Sequence, residues 1–201
     1  MGERLTVVPV PEDRMCQARA LDNPLRRRFS PAAVELDPLD IHPGMTVADL
    51  GAGVGYFAPE ALARVGEQGR LWLVDIDEEN LAIARQRLGK SPNATFVVGS
   101  AAHADAILSG SVDRVLASLV LCCLVDKAGA MDEIWRVLRP GGLARVTYPR
   151  IGLSWYRRKR AMRVTPALWE ELRARHPWRT VDSRRGWFVT RHLLEKPESA
   201  A

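Results

Sequence analysis

Two acids and three glycines are the residues whose types and spacing speak first of chemistry. In the stretch VADLGAGVGYF, Val47 to Phe57, an apolar run ends in Asp49 and Leu50, and Gly51, Gly53 and Gly55 follow at alternate positions. Glycines between a strand and a helix let backbone approach a ligand closely. In open α/β sheets the ligand lies at the carboxyl ends of the strands. A dinucleotide fingerprint needs its third glycine three residues after the second, and the residue three after Gly53 is Tyr56. A Walker loop is absent too, because no Gly-Lys-Ser/Thr follows. Asp49, two residues before the first glycine, would crowd a pyrophosphate with negative charge and suits a cationic group such as an amino-acid ammonium. Asp75 stands 22 residues after Gly53, at the end of the next apolar run, where a carboxylate can accept from both ribose hydroxyls.

These residues need strands to end where they stand. Thr46–Leu50 reads as a short strand, with Phe57–Val65 as a helix after the glycines. Leu71–Val74 is a continuous apolar run of the kind buried in a parallel sheet. Asp77 stands at the N-cap of EENLAIARQRL, whose Leu81, Ala84 and Leu88 share a helical face. Thr95–Val98 and Val112–Ser118 are further strands, Ala128–Val137 a helix stopped by Arg139-Pro140-Gly141-Gly142, and Leu143–Tyr148 a fifth strand. Ser30-Pro31 opens a helix into AAVELDPL. Pro166–His176 is helical, and Arg179–Asp182 and Trp187–Leu194 form a closing hairpin turned at Ser-Arg-Arg-Gly. This alternation predicts βαβ units with right-handed crossovers, and a mostly parallel sheet covered on both faces.

The 201 residues fit one domain, and an apolar content of 47% supplies its core. The longest apolar stretch, Leu116–Val125, is half of what a membrane helix needs, so no membrane partner is expected. The start lacks a secretory pattern, since Pro9 and Pro11 break its apolar run. Cys16, Cys122 and Cys123 form neither a disulfide framework nor a metal-ligand spacing, and a reducing, cytoplasmic setting follows. Residues 141–201 hold 14 Lys/Arg against 5 Asp/Glu, a balance of +9 in a chain of net +5. That basic third could face RNA or an anionic acceptor, or simply be a solvated surface.

A ligand with a ribose, a cationic amino-acid tail and no phosphate is S-adenosylmethionine. VADLGAGVGYF, LWLVDIDEENLAIARQRL, SVDRVLASLVL and EIWRVLRPGGLARVTYP, in this order, resemble the blocks of class I S-adenosylmethionine-dependent methyltransferases over roughly residues 30–150. The resemblance implies a Rossmann-like, doubly wound, mostly parallel seven-stranded sheet with an antiparallel last strand, and S-adenosylhomocysteine as product. It assigns the methionine part of the cofactor to Asp49 and the loop of Gly51, Ala52, Gly53, Gly55 and Tyr56. The ribose goes to Asp75 and one adenine face to Ile76. Where the family often has Gly-Asp-Ala after strand three, this chain has Gly99-Ser100-Ala101. The Ser100 hydroxyl can still accept from the adenine amine and the Ala101 N–H can donate to the ring. Ser118 completes the cofactor set. Residues 1–40 are expected as a helical or lid segment, since LDNPLRRRF resembles an N-terminal block of some small members. Residues 41–196 would be the methyltransferase domain, with a basic insertion at 150–165 near the acceptor site.

The methyl of a sulfonium is electrophilic without help, so the protein's task is positioning and exclusion of water. A base is needed only where the acceptor must lose a proton, and His103 and Tyr148 are the candidates. The acceptor would lie beyond strands four and five, near Leu119, Tyr148, Trp155 and Tyr156. Strand four lacks Asn/Asp-Pro-Pro-Tyr, which argues against methylation of exocyclic base amines. Cys122 and Cys123 lack the preceding Pro or Thr of pyrimidine-carbon enzymes and read as core residues. Three functions stay open: methyl transfer to a small-molecule acceptor, an RNA or protein methyltransferase docking through the basic third, and a non-catalytic S-adenosylmethionine-binding protein.

Overall fold

Alternate residues of the central strands feed two separate cores, and that alternation organises the molecule. The computed structural model describes Asp22, residues 31–150 and residues 163–198. After α1 (Ala32–Leu36) and a 3-10 turn (Asp37–Leu39) come β1 (Thr46–Leu50), α2 (Ala58–Val65), β2 (Arg70–Asp75), α3 (Glu78–Leu88) and β3 (Ala94–Val98). Then follow β4 (Val112–Ser118), α4 (Lys127–Val137), β5 (Leu138–Pro149), α5 (Pro166–Arg173), β6 (Arg179–Arg185) and β7 (Val189–Glu195). The seven strands form one sheet in the order β3-β2-β1-β4-β5-β7-β6. β1 to β5 pair in parallel, and β7 runs antiparallel between β5 and β6. This is the Rossmann-like, mostly parallel sheet expected, with its reversed last strand.

Val47, Leu71, Leu73 and Leu116 point to the face covered by α1, α2 and α3, where they meet Leu36, Leu39, Ala61 and Leu81. Ala48, Leu50, Val74, Val115 and Val146 point to the other face and meet Met131, Ile134, Trp169 and Leu172 of α4 and α5. Three of these helices begin on side-chain caps: Asp77 accepts from the Glu79 N–H, Asp126 from the Gly129 N–H and Thr165 from the Leu168 N–H. Asp77 is therefore a cap, as its position implied. α1 and α2 have no side-chain cap, and Pro31 rather than the expected Ser30 stands at the N-cap of α1.

Several boundaries differ from the sequence reading by one residue, and three places by more. β5 begins at Leu138, because Arg139-Pro140-Gly141-Gly142 bulges between the Val112↔Leu138 and Arg114↔Leu143 pairs and is tied to Lys196 by two backbone bonds. α5 stops at Arg173, and His176 turns back to bond Asp132 and stack on Trp135. β6 runs on to Arg185 and β7 starts at Val189, so the hairpin turns at Gly186-Trp187-Phe188. Arg184 and Arg185 are strand residues, paired with Arg191 and Thr190.

The first helix is held by charge as well as by leucines. Glu35, 3% exposed, accepts from Arg191 Nε at 2.7 Å on one oxygen, and from Thr147 Oγ1 at 2.8 Å and Arg145 Nε at 3.2 Å on the other. Burial pushes the Arg145 guanidinium below its ordinary value, against the pull of Glu35. Of the expected lid segment, Leu36 and Leu39 are core residues, and the part at 1–21 and 23–30 lies outside the described residues. Asp22 pairs with Arg87 of α3.

On the opposite face His192 is buried flat against Trp169, with ring centroids 4.0 Å apart. One ring nitrogen meets the Tyr148 hydroxyl at 2.9 Å and the other Ser183 Oγ at 3.0 Å. Desolvation lowers its pKa to about 4, with Arg145 and Arg173 adding to the drop and Glu170 and Asp182 opposing it.

Two outcomes follow. Glu35→Ala leaves two arginines without their shared carboxylate and costs about 3–5 kcal/mol of stability in a denaturant titration; an unchanged midpoint would show the cluster to be inert. The unfolded chain takes up a proton on His192 near pH 6.5, whereas the folded chain resists until about 4. Stability therefore drops as pH falls through that window, by up to about 3 kcal/mol. His192→Gln should flatten this part of the stability–pH curve.

Candidate functional site

The glycine loop leaves β1 at the middle of the sheet, between β2 and β4, and three strands fix its shape. The N–H groups of Gly51 and Ala52 both donate to the Val74 carbonyl, at 2.8 and 2.9 Å. Gly51, Gly53 and Gly55 all have positive φ, of 80°, 54° and 70°. A Cβ on Gly51 would sit 2.4 Å from Val120 Cγ2, and one on Gly55 would sit 2.8 Å from Ala84 Cβ. Ala52 is buried, and the Tyr56 ring packs edge-on against Phe57 at 4.9 Å.

Asp75 stands at the end of β2, with its carboxylate turned to the loop. Oδ2 accepts from the Gly53 N–H at 2.7 Å, and Oδ1 from the Asp77 N–H at 3.0 Å and Asn80 Nδ2 at 3.2 Å. A carboxylate has about four acceptor directions, so three bonds leave it able to take a further donor. Asp49 is buried at the end of β1, on the same face of the sheet as Leu73 and Leu116 beside it. The two acids therefore flank the loop at neighbouring strand ends.

Beside Asp75 the surface turns apolar without being covered. Ile76 is 42% exposed, and Val98, paired in register with Asp75, is 53% exposed. The turn after β3 is built on Ser100, whose Oγ accepts from the Ala102 N–H and whose carbonyl accepts from the His103 N–H. Ala101 is buried, while His103 faces solvent.

On the far side of the loop β4 ends at Ser118, and Leu119 takes a left-handed φ of 61°. Its N–H donates to the Thr147 carbonyl of β5 at 2.8 Å. The turn drives Val120 onto Gly51 and Cys122 inward, where its thiol donates to the Leu119 carbonyl at 3.0 Å. Burial pushes the Cys122 thiol up to about 12, which removes it as a nucleophile at neutral pH. Cys123, whose sulfur lies 3.6 Å away, is disulfide-bonded, in contrast to the expectation of unpaired cysteines. The left-handed turn puts the two neighbours in different settings, one sealed in the core and one half-exposed.

Asp49, Gly51, Ala52, Gly53, Gly55, Tyr56, Asp75, Ile76, Ser100, Ala101 and Ser118 thus all stand at the carboxyl edge of β1–β4. Tyr148 does not open onto that edge: its side chain turns inward, 5% exposed, and its hydroxyl is engaged by His192. Strand alternation explains the difference, because Tyr148 shares the α4/α5 face with Val146, while Thr147 takes the other. Trp155 and Tyr156 lie outside the described residues. Sequence reasoning missed Asn80, Val98 and Val120. An amide in the first turn of α3 was a visible signal for Asn80, whereas the reach of Val120 to Gly51 has no local signature.

The residues fit S-adenosylmethionine. A carboxylate with acceptor capacity stands where a ribose would lie, uncovered aliphatic surface stands where an adenine would lie, and a buried acid stands at the loop. Comparison with known proteins agrees. Residues 48–146 match the family described as a methyltransferase domain. The chain is 32% identical over 139 residues to a ubiquinone/menaquinone biosynthesis C-methyltransferase of Hydrogenovibrio crunogenus, covering 65% of this chain and 54% of that protein. It is 35% identical over 102 residues to an arsenite methyltransferase of Halobacterium salinarum, covering 50% of this chain and 26% of that protein. The chain thus spans about half or less of the length of these curated relatives. The crystal structure of a SAM-dependent methyltransferase from Aquifex aeolicus superposes with a TM-score of 0.76 at 18% identity, over 92% of this chain and 99% of that one.

Sheet order, glycine loop and paired acids define a Rossmann-like protein that binds a nucleoside-bearing cofactor. Residues 48–146 are a methyltransferase domain of the class I, S-adenosylmethionine-dependent type.

Asp75→Ala removes the group that holds both Gly53 and the start of α3. Calorimetry with S-adenosylmethionine should show affinity at least about 100-fold weaker, on the scale of about 3 kcal/mol for charge-assisted hydrogen bonds. Wild-type affinity in this variant would refute the assigned role.

Proposed function

We propose that this chain transfers the methyl group of S-adenosylmethionine to a small-molecule acceptor that brings its own nucleophile. The observation that carries this reading is the turn after β4, where an acceptor must approach the glycine loop. Leu119 and Val120 occupy it, and Val120 packs against Gly51. An aliphatic wall suits an apolar acceptor whose reacting atom needs no ionic partner from the enzyme. The names of the curated relatives, a quinone-pathway carbon methyltransferase and an arsenite methyltransferase, support an acceptor of small size.

When bound, the cofactor supplies an electrophilic methyl on a positive sulfur. The remaining work is positional. Asp75 would hold the ribose, Ile76 with Ser100 and Ala101 the adenine, and Asp49 with the loop of Gly51, Ala52, Gly53, Gly55 and Tyr56 the methionine tail. Ser118 and Leu119 border the methyl side, and Val120 excludes water from the gap between β1 and β4. Cys122, with its thiol pushed up to about 12, stays out of the chemistry. The basic C-terminal third leaves RNA and protein as the competing acceptors.

Incubation with methyl-labelled cofactor, a metabolite extract and bulk RNA separates these. Label in the organic-soluble, low-mass fraction, lost in Asp75→Ala, is the expected result. Label in RNA, in protein or in no fraction despite cofactor binding would overturn the proposal in favour of the corresponding alternative.

A further inference from the structure

The apex of the β6–β7 hairpin puts two large aromatic side chains into water. Trp187 is 90% exposed and Phe188 68%, although aromatic rings of this size are normally among the most deeply packed groups in a protein. The apex is nevertheless well fixed. The Gly186 N–H donates to the Val189 carbonyl at 2.9 Å and closes the turn. Just past the end of β5, Arg150 donates its backbone N–H to the Phe188 carbonyl at 2.9 Å and its guanidinium to the Gly186 carbonyl at 2.8 Å. The rings are held out by structure rather than left out by disorder.

The charge around them is mainly positive. Residues 183–191, SRRGWFVTR, contain three arginines and no acid, and Arg191 among them is turned to the buried Glu35. Arg184 and Arg185 are exposed, Arg184 being engaged with Asp182 at 2.9 Å, and Arg150 adds a fourth guanidinium at the base of the turn. The position is defined by register: Val189 pairs with Pro149 at the carboxyl end of β5. The apex therefore projects from the edge of the sheet that carries Asp49 and Asp75, beyond β5.

We propose that this apex, Trp187 and Phe188 ringed by Arg150, Arg184 and Arg185, is a docking point for an anionic lipid bilayer. Aromatic rings enter the interfacial layer while arginines meet the acidic headgroups, and the two attractions add. A nucleic acid is the other polyanion that a basic, aromatic surface suggests. Single strands, however, lie in grooves that track the backbone, and the ring of Trp187, 90% exposed at a turn, faces no opposing wall among the described residues. Phe188 also offers no hydrogen bond with which to read a base. The absence of a long apolar helix among the described residues agrees with contact at the surface rather than with spanning. Docking at this edge would turn the acceptor side toward the bilayer and give access to acceptors dissolved in lipid.

The test is sedimentation of the full chain with vesicles of phosphatidylcholine alone and with about 30% phosphatidylglycerol. It needs no cofactor, so its failure leaves methyl transfer untouched. The wild type should sediment with the anionic vesicles, less with the neutral ones, and less as salt rises. Trp187→Ala/Phe188→Ala should lower partitioning about tenfold or more. Arg184→Glu/Arg185→Glu should abolish the preference for anionic lipid. Both variants change exposed groups and should keep the wild-type melting temperature, which controls for folding. A wild type that remains in the supernatant overturns the proposal. So does an unchanged partition in the aromatic variant, or self-association or RNA binding that depends on the same two rings without vesicle binding.

Discussion

The carboxylate of Asp75 is the interaction on which the cofactor half of this protein depends. It joins the glycine loop through Gly53, the chain entering α3 through Asp77, and the first turn of that helix through Asn80. Two of the donors are backbone N–H groups and the third is the side-chain amide of Asn80, and each would otherwise be a polar group in need of a partner at a crowded strand end. The acid therefore sets the loop's shape, and under the proposed function its remaining acceptor capacity is what a ribose would meet. The loop is organised by the chain's own bonds before any ligand arrives.

The other half depends on Glu35. A short helix of five residues has too few hydrogen bonds to persist alone, and it lies where β5 and β7 must be held against the parallel sheet. Glu35 reaches both strands, through Arg145 and Thr147 on β5 and Arg191 on β7. The antiparallel strand and the last edge strand beyond it are thereby tied to the segment that precedes β1. Because β7 carries the base of the aromatic hairpin, the direction in which that hairpin points rests on a carboxylate roughly 150 residues earlier in the chain.

What the sequence disclosed followed from how local each signal is. β1 and β4 match their observed limits because apolar runs end sharply at glycine or at a polar turn. Asp49, the three glycines and Asp75 were legible because their spacing is imposed by one βαβ unit. Glu35 was not, since a glutamate on an amphipathic helix reads as a solvent-facing residue until partners more than 100 residues away are known. The hairpin turn was placed too early because Ser-Arg-Arg-Gly has the composition of a turn, whereas edge strands carry charge freely and let Arg184 and Arg185 stay in the ladder. Tyr148 was expected at the cleft, but the two-residue period of a strand settles which face a side chain takes, and β5 gives that edge to Thr147.

Val120 against Gly51 has a meaning beyond packing. The space that the missing side chain of Gly51 leaves is filled by Val120, so under the proposed function donor and acceptor recognition would share one van der Waals boundary. Change of substrate in such an enzyme is not free. A larger residue at position 120 presses on the cofactor loop and a smaller one opens a void beside it, while any residue but glycine at 51 collides with what stands opposite. On that reading, a change of acceptor made at position 120 would also be felt in the glycine loop.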